Sequence, residues 1–237
     1  MILYVNGDSH TAAAEATNPY AFANDDKAYF YMGRAPHPDN LKASWGRLLA
    51  NHLQTSFYCG AESASSNARI MRTTRTWLDE TYPKFNDELL MIIQWSSWER
   101  EEWLIDGEYY QINQSGVDCV PEDYQEEYKA FVANVDWDKK YKDAHESIWN
   151  FHCELTDKGI KHIFFNGNRH FFSKSIDRKK SWGNSYMYPY DPTQTFDAVL
   201  QAAGYKTVSP ESWHYGRTAH SHWSRHLLNY ILENDIV

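Results

Sequence analysis

The stretch MILYVNGDSHT, Met1 to Thr11, decides how the rest of the chain is read. Ile2–Asn6 is apolar and β-prone, which predicts a strand. Gly7 offers the backbone freedom a strand end needs to turn, and Asp8, Ser9 and His10 follow it. Thr11–Ala16 is made of good helix formers and predicts a helix start. A small hydroxyl between a buried strand and a helix start is held at the carboxyl edge of a sheet, close to several backbone N–H groups. Open α/β sheets place their chemistry there.

Working outward, strand and helix patterns alternate. A long irregular segment, 17–41, contains Gly33, Pro36 and Pro38. A helix is predicted over Ala43–Gln54, with Trp45, Leu48, Leu49 and Leu53 on one face. A short strand, Thr55–Cys59, breaks at Gly60, and a helix spans Ala68–Tyr82 before Pro83. ELLMIIQW, Glu88–Trp95, has the near-continuous apolar character of a central parallel strand covered on both faces. Residues 104–120 read as an irregular insertion, and 122–158 as two helices broken near Asn134–Asp138. KHIFFN, Lys161–Asn166, is a further strand after the helix stop Gly159. Then come a loop to Pro192, a helix over Thr193–Ala203, a short strand at Tyr205–Val208 and a terminal helix over Arg217–Glu233. This alternation predicts a three-layer, flavodoxin-like α/β domain spanning 1–237, with about five parallel strands and helices on both faces. Loop insertions are expected near 17–41, 97–120 and 167–192.

Composition narrows the functional classes. The 237 residues carry a formal net charge of −9, which argues against a nucleic-acid backbone or an anionic membrane as the main partner. No apolar run is long enough to span a bilayer, and the N-terminal apolar run is too short for a signal peptide. Cys59, Cys119 and Cys153 show no metal-ligand spacing and suit a reducing cytoplasm. Aromatic residues make up 16% of the chain, enough to fill a core and also to line a sugar- or protein-binding surface.

GDSH–T near the N-terminus, with an acid/His pair near the C-terminus, resembles the GDSL or SGNH hydrolase family, and within it the small SGNH-like proteins of bacterial viruses. That resemblance implies serine-dependent hydrolysis of an O-acyl ester on a carbohydrate or small molecule, with no cofactor. It implies a cytoplasmic location in a host cell, with virion association open. The family's last motif is an acid followed three residues later by the catalytic histidine, a spacing that Glu211 and His214 have here. A serine attacks only when a base takes its proton and a third group orients the base. The implied roles are therefore nucleophile for Ser9, base for His214 and orienting carboxylate for Glu211. The oxyanion would be received by the N–H groups of Ser9 and of Ala64 or Gly60, with Asn67 and Ser96 nearby. Ala64 stands where the relatives' AESASSNARI-like segment has a glycine. Ser96 stands after the third strand in Gln94–Trp95–Ser96–Ser97, where the family has Gly-X-Asn-Asp. Asp8 is expected to brace the turn through backbone N–H groups.

Two other readings compete. Asp8–Ser9–His10, Asn166–His170 and His220–Ser221–His222 resemble the motifs of metallophosphoesterases. In that reading Asp8, His10, Asn168, His170, His220 and His222 would surround two metal ions, although the bridging G-D-X-X-D is missing. Alternatively, Trp45, Trp95, Trp98, Trp103, Trp182 and Trp213 could line the surface of a non-catalytic binding or virion protein.

Overall fold

A computed structural model describes residues 1–19, 35–113, 120–174 and 176–237. Gly33, Gly116 and Cys119 lie outside the described residues, as do parts of the three predicted insertions.

Four strands, β1 (Ile2–Asn6), β2 (Ser56–Cys59), β3 (Leu89–Trp95) and β6 (Lys161–Asn166), form one parallel sheet in the order β2-β1-β3-β6. Ile2 pairs with both Ser56 and Leu89, and Leu90 pairs with Lys161, so β1 and β3 are central. Every residue of β1 and β3 is buried, as a strand covered on both faces requires.

The period of two along each strand divides the core. Ile2, Tyr4, Leu89, Met91, Ile93, Trp95 and Phe164 face one side. There they meet Ile70, Met71 and Leu78 of α3 (Asn67–Glu80) and Tyr141, Ile148, Phe151 and Leu155 of α5 (Trp137–Asp157). Leu3, Val5, Leu90, Ile92, Ile163 and Phe165 face the other. They pack on Trp45 and Leu49 of α2 (Trp45–Leu53), Phe196 and Leu200 of α6 (Phe196–Ala202), and Trp223 and Leu227 of α7 (Arg217–Glu233). Short side chains set the helix starts. Ser44 accepts from the Arg47 N–H at 3.1 Å, Ser66 from Arg69 at 3.2 Å and Thr195 from Ala198 at 3.1 Å. The result is a three-layer α/β fold. The chain leaves β1 and β3 toward different neighbours, which makes their carboxyl ends the switch point of the sheet.

Several expectations need correction. Among the described residues the sheet has four strands, where about five were expected: Tyr205–Val208 contributes only a single bridge, Thr207 to Tyr215. The helix expected at Ala43–Gln54 is preceded by a separate short one, α1 (Pro38–Ala43), because Ser44 adopts an extended conformation and caps the second. The stretch read as irregular contains an antiparallel hairpin, β4 (Glu101–Ile105) and β5 (Glu108–Ile112). Its turn, Asp106–Gly107, has φ of 50° and 87°, and two positive values are what a two-residue hairpin needs to match strand twist. The hairpin and the helix α4 (Gln125–Ala133) share a small core of Ile112, Val120 and Tyr128.

The tryptophans expected on a surface are mostly interior. Trp45, Trp95, Trp98 and Trp182 are buried in the two main cores, and Trp103 is half-buried. Trp213 alone of the six is exposed, at 81%. No described helix is long and apolar enough to cross a membrane.

Candidate active site

After β1 the chain does not enter a helix. Residues 8–16 form a coil of successive turns. The Thr11 and Ala12 N–H groups both donate to Asp8 O, and Ala14 N–H donates to Ser9 O. Ala13 and Glu15 have φ of 55° and 60°, which no α-helix tolerates. Gly7 is needed for space and not for an unusual backbone angle. A Cβ there would stand 2.4 Å from Thr11 Oγ1 and 3.0 Å from Gln94 Cβ. Thr11 Oγ1 donates to Gln94 Oε1 at 2.7 Å directly beneath. Gly7→Ala is therefore expected to cost about 1–3 kcal/mol through overpacking. A lowered thermal midpoint would report it, and an unchanged midpoint would mean that the site relaxes freely.

Asp8 anchors the turn. Its Oδ1 accepts from the His10 N–H at 3.0 Å and from Gln94 Nε2 at 2.9 Å. Its Oδ2 accepts from Ser96 Oγ at 3.0 Å and from Arg100 Nη1 at 2.9 Å. Burial works to raise the pKa of this carboxyl. The charge that His10 takes on in acid, the Arg100 guanidinium and these hydrogen bonds outweigh it and bring the pKa down to about 2. Arg100 also donates to Ser96 Oγ at 2.8 Å.

Ser9 sits on this platform, 7% exposed. Neither its hydroxyl nor its N–H has a hydrogen-bond partner among the described residues. On the same coil, the His10 ring stands edge-on to His214, with centroids 5.7 Å apart. The coil's end is tied to the start of α7, where the Arg217 N–H donates to Ala16 O at 3.2 Å.

The carboxylate at His214 belongs to Glu15. His214 Nδ1 lies 2.5 Å from Glu15 Oε2. Burial opposes ionisation of Glu15, and hydrogen bonds from His214 and Ser212 prevail, holding its pKa below the usual range. An ionised Glu15 can only accept, so Nδ1 carries a proton, and in the neutral imidazole the lone pair is then on Nε2. Ser212 Oγ donates to the same Glu15 oxygen at 2.7 Å and accepts the His214 N–H at 3.0 Å. Glu211, expected in this role, is exposed and bonds no described residue. Local spacing placed it near His214, but the loop folds back so that Val208 N–H donates to His214 O, and the imidazole turns to the Ser9 coil.

The predicted oxyanion residues separate into free and committed donors. The Gly60 N–H is spent on Val5 O at 2.9 Å, which removes Gly60 as a donor. Ala64 has φ of 64°, and its N–H bonds no described group. Asn67 uses both ends of its amide on the Ser96 backbone, accepting from the N–H at 2.8 Å and donating to the carbonyl at 3.1 Å. Ser96 Oγ is committed to Asp8. The single Ser96 Oγ–H is therefore committed, whereas Asn67 Nδ2 has a second N–H with no partner among the described residues. The hairpin braces this loop, with Gln111 Oε1 accepting the Ser66 N–H at 3.0 Å.

The alternative metal set is not gathered. Both Asp8 oxygens are engaged, His220 Nδ1 accepts the Trp45 N–H at 3.3 Å, His222 packs on Tyr205 and His170 on Phe172. Among the described residues, no group of three or more His, Cys, Asp or Glu is arranged to hold a metal ion. The residues missed from sequence are Glu15 and Arg100, which lie in no motif, and Ser212, which stands inside the Glu211–His214 motif at a position the motif leaves open.

Comparison with known proteins adds the following. Residues 38–150 match a family of unknown function (DUF6071). No curated protein matches. Solved structures similar to this chain include an acetyl xylan esterase from the rumen bacterium Butyrivibrio proteoclasticus, at 12% identity and a TM-score of 0.45. That alignment covers 98% of this chain and 63% of the esterase. A G-D-S-L family protein from Desulfitobacterium hafniense DCB-2 aligns at 12% identity and a TM-score of 0.41, covering 97% and 98% of the two chains. A carbohydrate esterase aligns at 14% identity and a TM-score of 0.46, covering 98% of this chain and 64% of its own. The chain thus spans less than two thirds of two of these three proteins.

Proposed function

We propose that this chain is a serine-dependent ester hydrolase in which Ser9 attacks, His214 accepts its proton and Glu15 orients His214. The observation that carries the reading is the Glu15–His214 pair, built on the same coil as a serine with no hydroxyl partner among the described residues. A fixed Nδ1–H leaves Nε2 as a base, which is the arrangement acyl transfer needs. The serine hydroxyl would add to the acyl carbon while its proton passes to Nε2. Collapse of the adduct expels the alcohol, which takes that proton. Water then attacks the acyl-enzyme by the same route. The N–H groups of Ser9 and Ala64, which have no partner among the described residues, are the backbone donors assigned to the oxyanion. No cofactor enters this scheme.

The substrate class we assign is a small O-acyl ester, with a carbohydrate as the alcohol part. Trp213 adjoins His214 and offers an exposed ring on which a sugar face can stack. The test is hydrolysis of p-nitrophenyl acetate and butyrate, and of bis-p-nitrophenyl phosphate, with and without EDTA. A fluorophosphonate, which marks activated serines whatever the natural substrate, is added in parallel and the adduct mapped by mass spectrometry. Turnover indifferent to EDTA and an adduct on Ser9 support the reading. No turnover and no adduct overturn it, and phosphodiester turnover abolished by EDTA would return the metal reading.

A further inference from the structure

Of the side-chain donors expected near Ser9, Ser96 Oγ gives its one proton to Asp8 and Asn67 Nδ2 gives one of its two to the Ser96 carbonyl. The residue after the serine offers a further donor. We infer that His10, as a neutral imidazole protonated on Nε2, donates that N–H to the oxyanion formed at the acyl carbon. The inference rests on the Ser9-dependent reaction proposed above and adds a catalytic residue to it.

The ring's surroundings select the tautomer. His10 is 6% exposed, packed between Phe196, at 5.4 Å between centroids, and His214 at 5.7 Å. Its Nδ1 is buried and has no hydrogen-bond partner among the described residues. A buried N–H without an acceptor is rarer and costlier than a buried lone pair without a donor. The proton therefore belongs on Nε2. No described group bonds Nε2, so no acceptor among the described residues competes for a proton there. A cationic ring would bury an unpaired Nδ1–H. Burial, together with His214 and Arg100 nearby, holds the His10 pKa below its ordinary value, although Asp8 pulls the other way. His10 is thus a neutral donor next in the chain to a serine whose hydroxyl has no partner among the described residues. In the reaction the carbonyl π pair moves to oxygen as the Ser9 oxygen–carbon bond forms, the Ser9 proton goes to His214, and His10 keeps its own proton throughout. A neutral donor suits this task, because it stabilises developing charge without giving up its proton.

The test compares His10→Phe, which keeps a ring in the packing, with His10→Gln, whose amide nitrogen has a reach similar to Nε2. For p-nitrophenyl acetate, kcat is expected to fall roughly 10²-fold in His10→Phe with KM little changed. Inhibition by butylboronic acid, whose tetrahedral adduct mimics the oxyanion, should weaken in parallel. His10→Gln should recover a good part of both. Independently, nitrogen-15 NMR of histidine-labelled wild type should show His10 as the Nε2–H tautomer at neutral pH. Equal turnover in His10→Phe and wild type, equal losses in both variants, or an Nδ1–H tautomer would overturn the inference. Should His10→Phe fail to fold, the tautomer decides. The Ser9→Ala variant separates the two readings. If it keeps full turnover, the serine mechanism fails and this inference with it. If it is inactive while His10→Phe is unimpaired, only the role of His10 falls.

Discussion

Ester turnover is expected to fall about 10³-fold or more in Ser9→Ala and in His214→Ala, and roughly 10²- to 10⁴-fold in Glu15→Gln. Glu211→Gln should match wild type. The contrast between the two glutamates is the informative part. Both are near His214, one by sequence and the other by folding, and only Glu15 lies against Nδ1, at 2.5 Å. Its amide would present either an oxygen, keeping a weaker bond, or an NH₂ group that forces the imidazole into the wrong tautomer. Ser212, which bonds both Glu15 and His214, limits how far the pair can rearrange. Steady-state kinetics on p-nitrophenyl butyrate with all four variants reads the result. A loss in Glu211→Gln with none in Glu15→Gln would reverse the assignment. A loss in neither would leave His214 oriented by the loop alone.

That contrast also marks where sequence reasoning stops. The terminal helix Arg217–Glu233 and the strand Lys161–Asn166 are legible to the residue, because their hydrophobic period and end signals are local. The central strand Leu89–Trp95 is legible from its continuous apolar run. Thr11–Ala16 misleads because its alanines favour helix in isolation. The fold instead ties Ala16 O to Arg217 and Glu15 to His214, and two residues accept positive φ to satisfy those distant bonds. Backbone strain of that kind leaves no local mark, so Glu15 could not be found. The hairpin was findable: Asp106–Gly107 is the dipeptide that a tight turn between strands favours. Ser96 was placed correctly after the third strand, but nothing nearby announces that Asp8 and Arg100 would claim it.

The same network gives the largest expected effect on stability. Removing the guanidinium in Arg100→Met should cost about 3 kcal/mol, the lower end of what breaking a buried ion pair costs. Asp8 is 1% exposed and Arg100 22%, so the charge left behind is the sealed one. Three hydrogen bonds, from the His10 N–H, Gln94 and Ser96, would still hold that carboxylate, which is why the lower end applies. The pH dependence follows from the direction of the Asp8 shift. Its folded pKa of about 2 lies below the ordinary carboxyl value of 3.8, so the stability it contributes is complete above about pH 4 and is lost as pH falls towards 2. Without Arg100 the folded pKa rises, so the gap between variant and wild type should be widest near neutrality and close on acidification. Urea unfolding at pH 7 and pH 3 measures both points. A gap that persists undiminished at pH 3 would mean that Arg100 stabilises through packing and its bond to Ser96 instead of through charge. Full loss in Asp8→Asn/Arg100→Met, no smaller than the sum of the single losses, would say that the two groups do not act as a pair. The coupling bears on function as well as stability, because the carboxylate that Arg100 neutralises also fixes the His10 N–H on the turn that presents Ser9.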